Sequence, residues 1–197
     1  MSEFWIYFEK GLSHILNYSV YDQILFLMAL TVPYGFKNWK KLLLLISIFT
    51  VAHTLSLMLT VFDVVVIKVN SIEFLIPITI LIVAFYTLFT AGKSSKQDSI
   101  SLIGFITLFL GIIHGLSCAG YFKTLISSSP QSKFLPLLEY SLGIETAQII
   151  IVFIMLVLSY VVQNFFRFSK RDWTLVISSF VIGMVLPMIL SSAIWTR

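Results

Sequence analysis

Charge is scarce in this chain of 197 residues, since Asp, Glu, Lys and Arg together make up only 11% of it. A soluble domain devotes about a quarter of its residues to charge, so a water-facing surface is excluded over most of the molecule. Cysteine is scarcer still. The single Cys118 excludes an internal disulfide and leaves thiolate in short supply as a metal ligand. No basic stripe with interleaved aromatics is present, so the net charge of +4 does not point to nucleic acid. The N-terminus holds Glu3, Glu9 and one Lys10 and lacks a short apolar run ending at small residues, so no cleavable signal peptide is expected. Nor does any repeat mark an inverted-repeat transporter.

What is abundant is apolar. Hydrophobic residues make up 58% of the chain and the mean hydropathy is +0.99, which together specify an integral membrane protein. A hydrocarbon core of about 30 Å takes roughly 17–25 helical residues to cross. Apolar stretches near 20–36, 42–62, 72–91, 99–119, 136–163 and 173–194 predict an all-α bundle of about six transmembrane helices forming one domain, residues 1–197. The first stretch is short and the fifth long. Ahead of them, Phe4, Phe8, Leu12 and Ile15 recur at helical spacing, with Trp5 and Tyr7 suited to headgroups, which predicts an interfacial amphipathic helix over 3–17. The segment Gly120–Lys133, with SSSPQS inside it, reads as the one substantial loop, and Pro136 suits the first turn of the next helix.

Basic residues set the orientation. Lys37, Lys40, Lys41, Lys93, Lys96, Arg167, Lys170 and Arg171, eight of thirteen, fall after the first, third and fifth spans, so those connections are expected inside and both termini outside.

In that orientation the intramembrane polar residues gather in one half of the bilayer. Asp22 opens the first span, His53 lies about two thirds of the way up the second at ~1.5 Å per residue, and Glu73 starts the third. His114 is near the outer end of the fourth, Glu139 and Glu145 are in the outer half of the fifth, and His14 is at the rim. A charged side chain at mid-bilayer costs roughly 2.5–3.5 kcal/mol. Convergence on a shared polar site therefore explains the distribution economically. Asp22, Glu73 and Glu139 also suit first helical turns, where a carboxylate is favoured without a partner, and a buried histidine can be purely structural. Glu145 is too far into its helix to be a cap, and Gln148 shares its face.

Imidazole and carboxylate in an enclosed pocket suit a divalent transition metal such as zinc, nickel or cobalt. The candidate ligands are His14, Asp22, His53, His114 and Glu145. Thr50 and Ser56 flank His53 at i−3 and i+3, where their hydroxyls can orient it. Gln23, Glu73, Cys118, Glu139 and Gln148 are candidates for supporting the site or its pathway, with Cys118, the one cysteine, better suited to packing. Gly111, Gly115 and Ala119 form a small-residue stripe along which another helix can approach closely.

GLSHIL followed by YDQILFLMAL, FTVAHTLSL at 49–57, SIEFLIPITI at 71–80, GIIHGL at 111–116 and LGIETAQ at 142–148 make the chain resemble the HupE/UreJ family of bacterial membrane proteins. The resemblance implies nickel or cobalt uptake across the bacterial cytoplasmic membrane, with a hydrogenase or urease accessory role. It also implies Asp-His at the end of the first motif, where this chain has Asp22-Gln23. Beside a metal permease the residues allow a membrane-embedded zinc hydrolase, cleaving a lipid or lipoprotein bond from the outer leaflet with Glu145 or Asp22 as base. A sensor or accessory subunit without turnover is the third reading.

Overall fold

The computed structural model describes residues 3–17, 21–65, 69–92, 100–126 and 133–192. Seven α-helices lie among them: α1 (Glu3–Leu16), α2 (Tyr21–Thr31), α3 (Trp39–Val61), α4 (Val69–Phe89), α5 (Ile100–Ile126), α6 (Phe134–Phe165) and α7 (Lys170–Leu190). No strand occurs among the described residues. The helical state follows from the solvent, because in lipid every backbone polar group must be bonded within its own segment. Side-chain hydroxyls obey the same rule. Thr87 bonds the carbonyl of Val83, Thr107 that of Ile103 and Ser141 that of Leu137. Large apolar side chains such as Val51, Phe105 and Phe153 project from the bundle, as lipid-facing residues should.

Five helices, α3 to α7, are long and apolar enough to cross a membrane, and the chain is a multi-pass membrane protein. The expected first span, 20–36, is a helix only over Tyr21–Thr31, 11 residues, or about 16 Å of rise. Pro33 is the reason: it lacks an N–H and disfavours helical backbone at Val32. The chain then turns through Val32–Gly35 into a short 3-10 turn, Phe36–Asn38, and directly into α3. A helix this short and a non-helical stretch are tolerated because protein, not lipid, surrounds them. Gln23, Leu25, Phe26, Leu27, Ala29, Leu30 and Thr31 are buried, as are Val32 and Tyr34.

Two other boundaries differ from expectation. The supposed loop at 120–133 is helical as far as Ile126, because Phe122 and Ile126 continue the buried face of α5; residues 127–132, which hold the SSSPQS stretch, lie outside the described set, as do Lys93 and Lys96. Pro136 falls in the first turn of α6 as anticipated, and α6 runs for 32 residues, about 48 Å.

Glycine governs the closest helix contacts. On α5, Gly111 faces the Phe49 carbonyl and Ala52, and Gly115 faces Ser56 Oγ and the His53 carbonyl. The stripe read from the sequence therefore has α3 as its partner. The two helices run parallel, with Asp63 after one and Lys123 near the end of the other joined as an ion pair. A second pair of glycines joins α1 to α6: a Cβ on Gly11 would strike the Tyr140 carbonyl, and one on Gly143 the Phe8 carbonyl. Gly143→Leu is thus expected to destabilise the protein by about 1–3 kcal/mol through overpacking. Thermal unfolding in detergent measures this, and an unchanged midpoint would mean α1 is not held there.

Both ends of the bundle can be recognised. Lys37 and Lys170 share one cavity and Gly92, just beyond α4, rests against the Arg171 side chain. The described connections after α2, α4 and α6 therefore meet at one end.

Candidate metal centre

The sequence places His14 on α1 and Asp22, His53, Glu73, His114, Glu139 and Glu145 in the halves of α2 to α6 that face away from that basic end, and the packing brings several of these together. Gly111 and Gly115 set the spacing, since they press α5 onto the backbone of His53 itself. His53 is fully buried and His114 nearly so, at 0% and 3% exposure. The Phe49 ring lies beside both imidazoles, with centroids 6.0 Å from His53 and 5.5 Å from His114. Both histidines therefore share one lining.

Their hydrogen bonding is incomplete in a specific way. His114 Nδ1–H donates to the Leu110 carbonyl at 3.0 Å, which fixes the tautomer and leaves the lone pair on Nε2. That Nε2 has no partner, and neither ring nitrogen of His53 has one, among the described residues. A buried polar atom without a partner costs roughly 1–3 kcal/mol. Two imidazoles in this condition border one ring, Phe49, with three ring nitrogens open to a ligand. Bonding one ring nitrogen to a carbonyl so that the other points at a cation is the usual way a metal-binding histidine is oriented.

Asp22, in the first turn of α2, lies close enough to act electrostatically on His14, His114 and Cys118, and His53 feels both His14 and His114. His14 of α1 completes the neighbourhood. Its Nε2 is 3.3 Å from Cys118 Sγ and its ring stacks on Tyr121 at 4.7 Å. Burial lowers the His14 pKa from the ordinary 6.5, against the opposing pull of Asp22. The neutral, ligating form of His14 therefore persists below pH 6.5 and gives way only as the pH falls through its depressed value.

Four helices thus contribute His14, Asp22, His53, His114 and Cys118 to one region. Among the described residues, no three His, Cys, Asp or Glu side chains are already drawn tightly around a single point. The groups are neighbours rather than a finished coordination shell.

The other candidates fall elsewhere or support from the side. Glu145 is partly exposed and accepts from Ser47 of α3 at 3.0 Å, so its contact is with a serine rather than with a histidine. Gln148 is fully buried and accepts from Thr50 at 3.1 Å, one turn from His53, with its Nε2 unpartnered. Ser56 bonds the His53 carbonyl at 3.0 Å, which holds backbone rather than imidazole. Gln23 is buried with its Nε2 unpartnered, Glu139 is buried on α6 and Glu73 is exposed on α4.

Three residues escaped the sequence reading. Tyr140 of α6 is fully buried with its hydroxyl unpartnered, 6.0 Å by ring centroid from His14. Phe26 and Phe49 stack at 5.0 Å, both at 0% exposure, and the Phe26 ring lies 6.1 Å from His114. Helical spacing contained the signal: Tyr140 is two four-residue steps before Gln148, Phe49 one before His53, and Phe26 one after Asp22. Toward the basic end this aromatic pair is followed by Leu27, Leu42, Leu45 and Ile46, each exposed by no more than 1%. The site therefore has a dry floor. An apolar groove of about 430 Å³ on the outer faces of α3 and α5, lined by Val51, Leu55 and Leu108 among others, is separate from it and offers no ligating side chain.

A family model described as HupE / UreJ protein matches residues 1–192, nearly the whole chain. No curated protein and no solved structure matches it.

Proposed function

The chain belongs to the HupE/UreJ family, and on that premise we propose that it is a permease for a divalent transition metal, nickel or cobalt, in the bacterial cytoplasmic membrane. In this reading both termini are extracytoplasmic, α1 lies at the outer interface, and the ion is cargo taken up from that side. The observation that carries the proposal is the pair of buried imidazoles, His53 and His114, with unbonded nitrogens, the Asp22 carboxylate lying close enough to His114 to act on it electrostatically.

The chemistry suits the cargo. Neutral imidazole binds nickel, cobalt and zinc well, whereas calcium and magnesium prefer oxygen shells. One carboxylate offsets part of the ion's charge, and the histidines replace part of its hydration shell. Inward passage is blocked while Phe26 and Phe49 stay stacked. Release toward the basic end requires α2, too short to cross as a helix alone and continued to that end by the non-helical stretch 32–35, to shift against α3. Such a helix, broken at membrane depth, is a recurring element of transporters.

The same dry floor favours one second reading, a zinc-dependent hydrolase that acts on a lipid or lipoprotein bond from the outer leaflet and never passes the ion. Purified protein sealed into vesicles separates the two. A permease accumulates nickel or cobalt inside, and the accumulation is lost when His53 and His114 are replaced. Metal held on the protein, no uptake, and cleavage of an added lipid or lipoprotein would establish the hydrolase instead.

A further inference from the structure

Composition alone makes Cys118 a packing residue, but its sulfur has a chemical neighbour. Cys118 Sγ lies 3.3 Å from His14 Nε2, across the contact between α5 and α1. The His14 ring is stacked on Tyr121 of α5 at 4.7 Å and 21°, so the imidazole is held by its face while Nε2 meets the sulfur. On α5, Cys118 is four residues beyond His114, about 6 Å of rise farther from the basic end and on the same helix face. His14 is half-buried, the least enclosed of the three imidazoles, and Cys118 is 8% exposed. The pair therefore stands at the outer edge of the region that holds His53 and His114.

Two unbonded polar groups border this pair. His114 donates through Nδ1 to Leu110, on the side away from Cys118, and its Nε2 has no partner. Tyr140 of α6 is 0% exposed, and its hydroxyl has no partner among the described residues. The Tyr140 ring lies 6.0 Å from His14 and 6.5 Å from Tyr121, with Cys118 close enough to its hydroxyl to act on it electrostatically. A thiol–imidazole hydrogen bond accounts for Cys118 and His14 only. It leaves His114 Nε2 and the Tyr140 hydroxyl unsatisfied, which is unfavourable for buried polar atoms. A cation among these groups satisfies both, because imidazole lone pairs bind the ion and water on the ion bonds the hydroxyl. Asp22 acts electrostatically on both His14 and Cys118, so one carboxylate offsets charge at this edge as well.

We propose that Cys118 is itself a metal ligand, its thiolate and His14 Nε2 forming the outermost pair of the centre, so that the ion is held through sulfur as well as nitrogen. This deepens the reading given above and rests on its metal site. As the sulfur–metal bond forms, the S–H bond breaks and its proton leaves to solvent water, while His14 gives the Nε2 lone pair and stays neutral. Thiolate beside imidazole narrows the ion to a late transition metal of borderline or soft character, nickel and cobalt among them, and disfavours magnesium, calcium and manganese.

The test is a titration of the purified full chain with cobalt(II) in thiol-free buffer, followed optically. Cobalt held by imidazoles absorbs in the visible through its d–d transitions, and a thiolate ligand adds a charge-transfer band in the near ultraviolet. Because the chain contains one cysteine, that band can arise only at Cys118. The parent is expected to show both absorptions. Cys118→Ser should lose the near-ultraviolet band and bind cobalt at least about tenfold more weakly, and His14→Ala should lose most of the band, both with the circular dichroism of the parent. The parent spectrum alone is decisive if a variant fails to fold. Visible absorption without the charge-transfer band would overturn the proposal and leave the histidine centre standing. A band that survives Cys118→Ser would overturn it too. Absence of both absorptions at saturating cobalt would overturn this proposal and the metal reading together.

Discussion

The double variant His53→Ala, His114→Ala is expected to emerge from chelator-free purification without divalent metal, where the parent chain is expected to hold about one ion. The size of the effect follows from the geometry. Even residues that only orient a metal ligand are worth about 10–100-fold in affinity, and here two proposed ligands are removed at once, so the loss should exceed about a hundredfold. Folding should suffer less than two buried substitutions usually imply. His53 gives up no hydrogen bond, because neither of its nitrogens has one, and His114 gives up only its bond to Leu110. Metal analysis beside a circular dichroism spectrum measures both halves of the statement. A folded double variant that still carries stoichiometric metal would show that the ion sits elsewhere.

A nearly equal loss is expected from a residue that touches no ion. Gly115→Leu forces a side chain into the His53 carbonyl and Ser56 Oγ, where even a single Cβ is too close. Overpacking of this kind costs typically 1–3 kcal/mol, but rigid backbone faces the intruding atoms here, so α3 and α5 must separate. His53 and His114 separate with them. Thermal midpoint and metal content should therefore fall together, whereas Gly183→Leu, at a glycine with open space around it, should change neither. Normal metal binding in Gly115→Leu would mean that the α3–α5 contact does not set the spacing of the histidines.

These two results also separate what the sequence declares from what it conceals. Helix content and approximate span positions are legible because charge and hydropathy are nearly binary in a membrane protein. His53, His114 and Asp22 are legible for the same reason, as each is unfavourable in lipid without a partner. Direction around the helix axis is less legible. Glu145 occupies the right depth on α6, yet it meets Ser47. Tyr140, which does approach His14, hides among ordinary aromatics. The length of α2 is concealed as well: hydropathy runs unbroken through Val32 and Tyr34, and the local rule at Pro33 decides where the helix stops. At Tyr121–Ile126 the reverse holds, as a Gly120 start and a polar run ahead suggested a loop, while burial of Phe122 and Ile126 extends α5.

Gln23 stands where the resemblance implies histidine. It is a buried amide with an unpartnered Nε2, and an amide is a weaker ligand than imidazole for nickel or cobalt. The proposed site thus leans on the remaining imidazoles, His14, His53 and His114.

X-ray absorption of the cobalt-loaded protein tests that dependence most directly. The expected spectrum shows imidazole nitrogens, at least two per ion, at about 2.0–2.1 Å by analogy with zinc–histidine distances, and loses them in the His53→Ala, His114→Ala variant. A shell made only of oxygen, unchanged by those substitutions, would contradict the account.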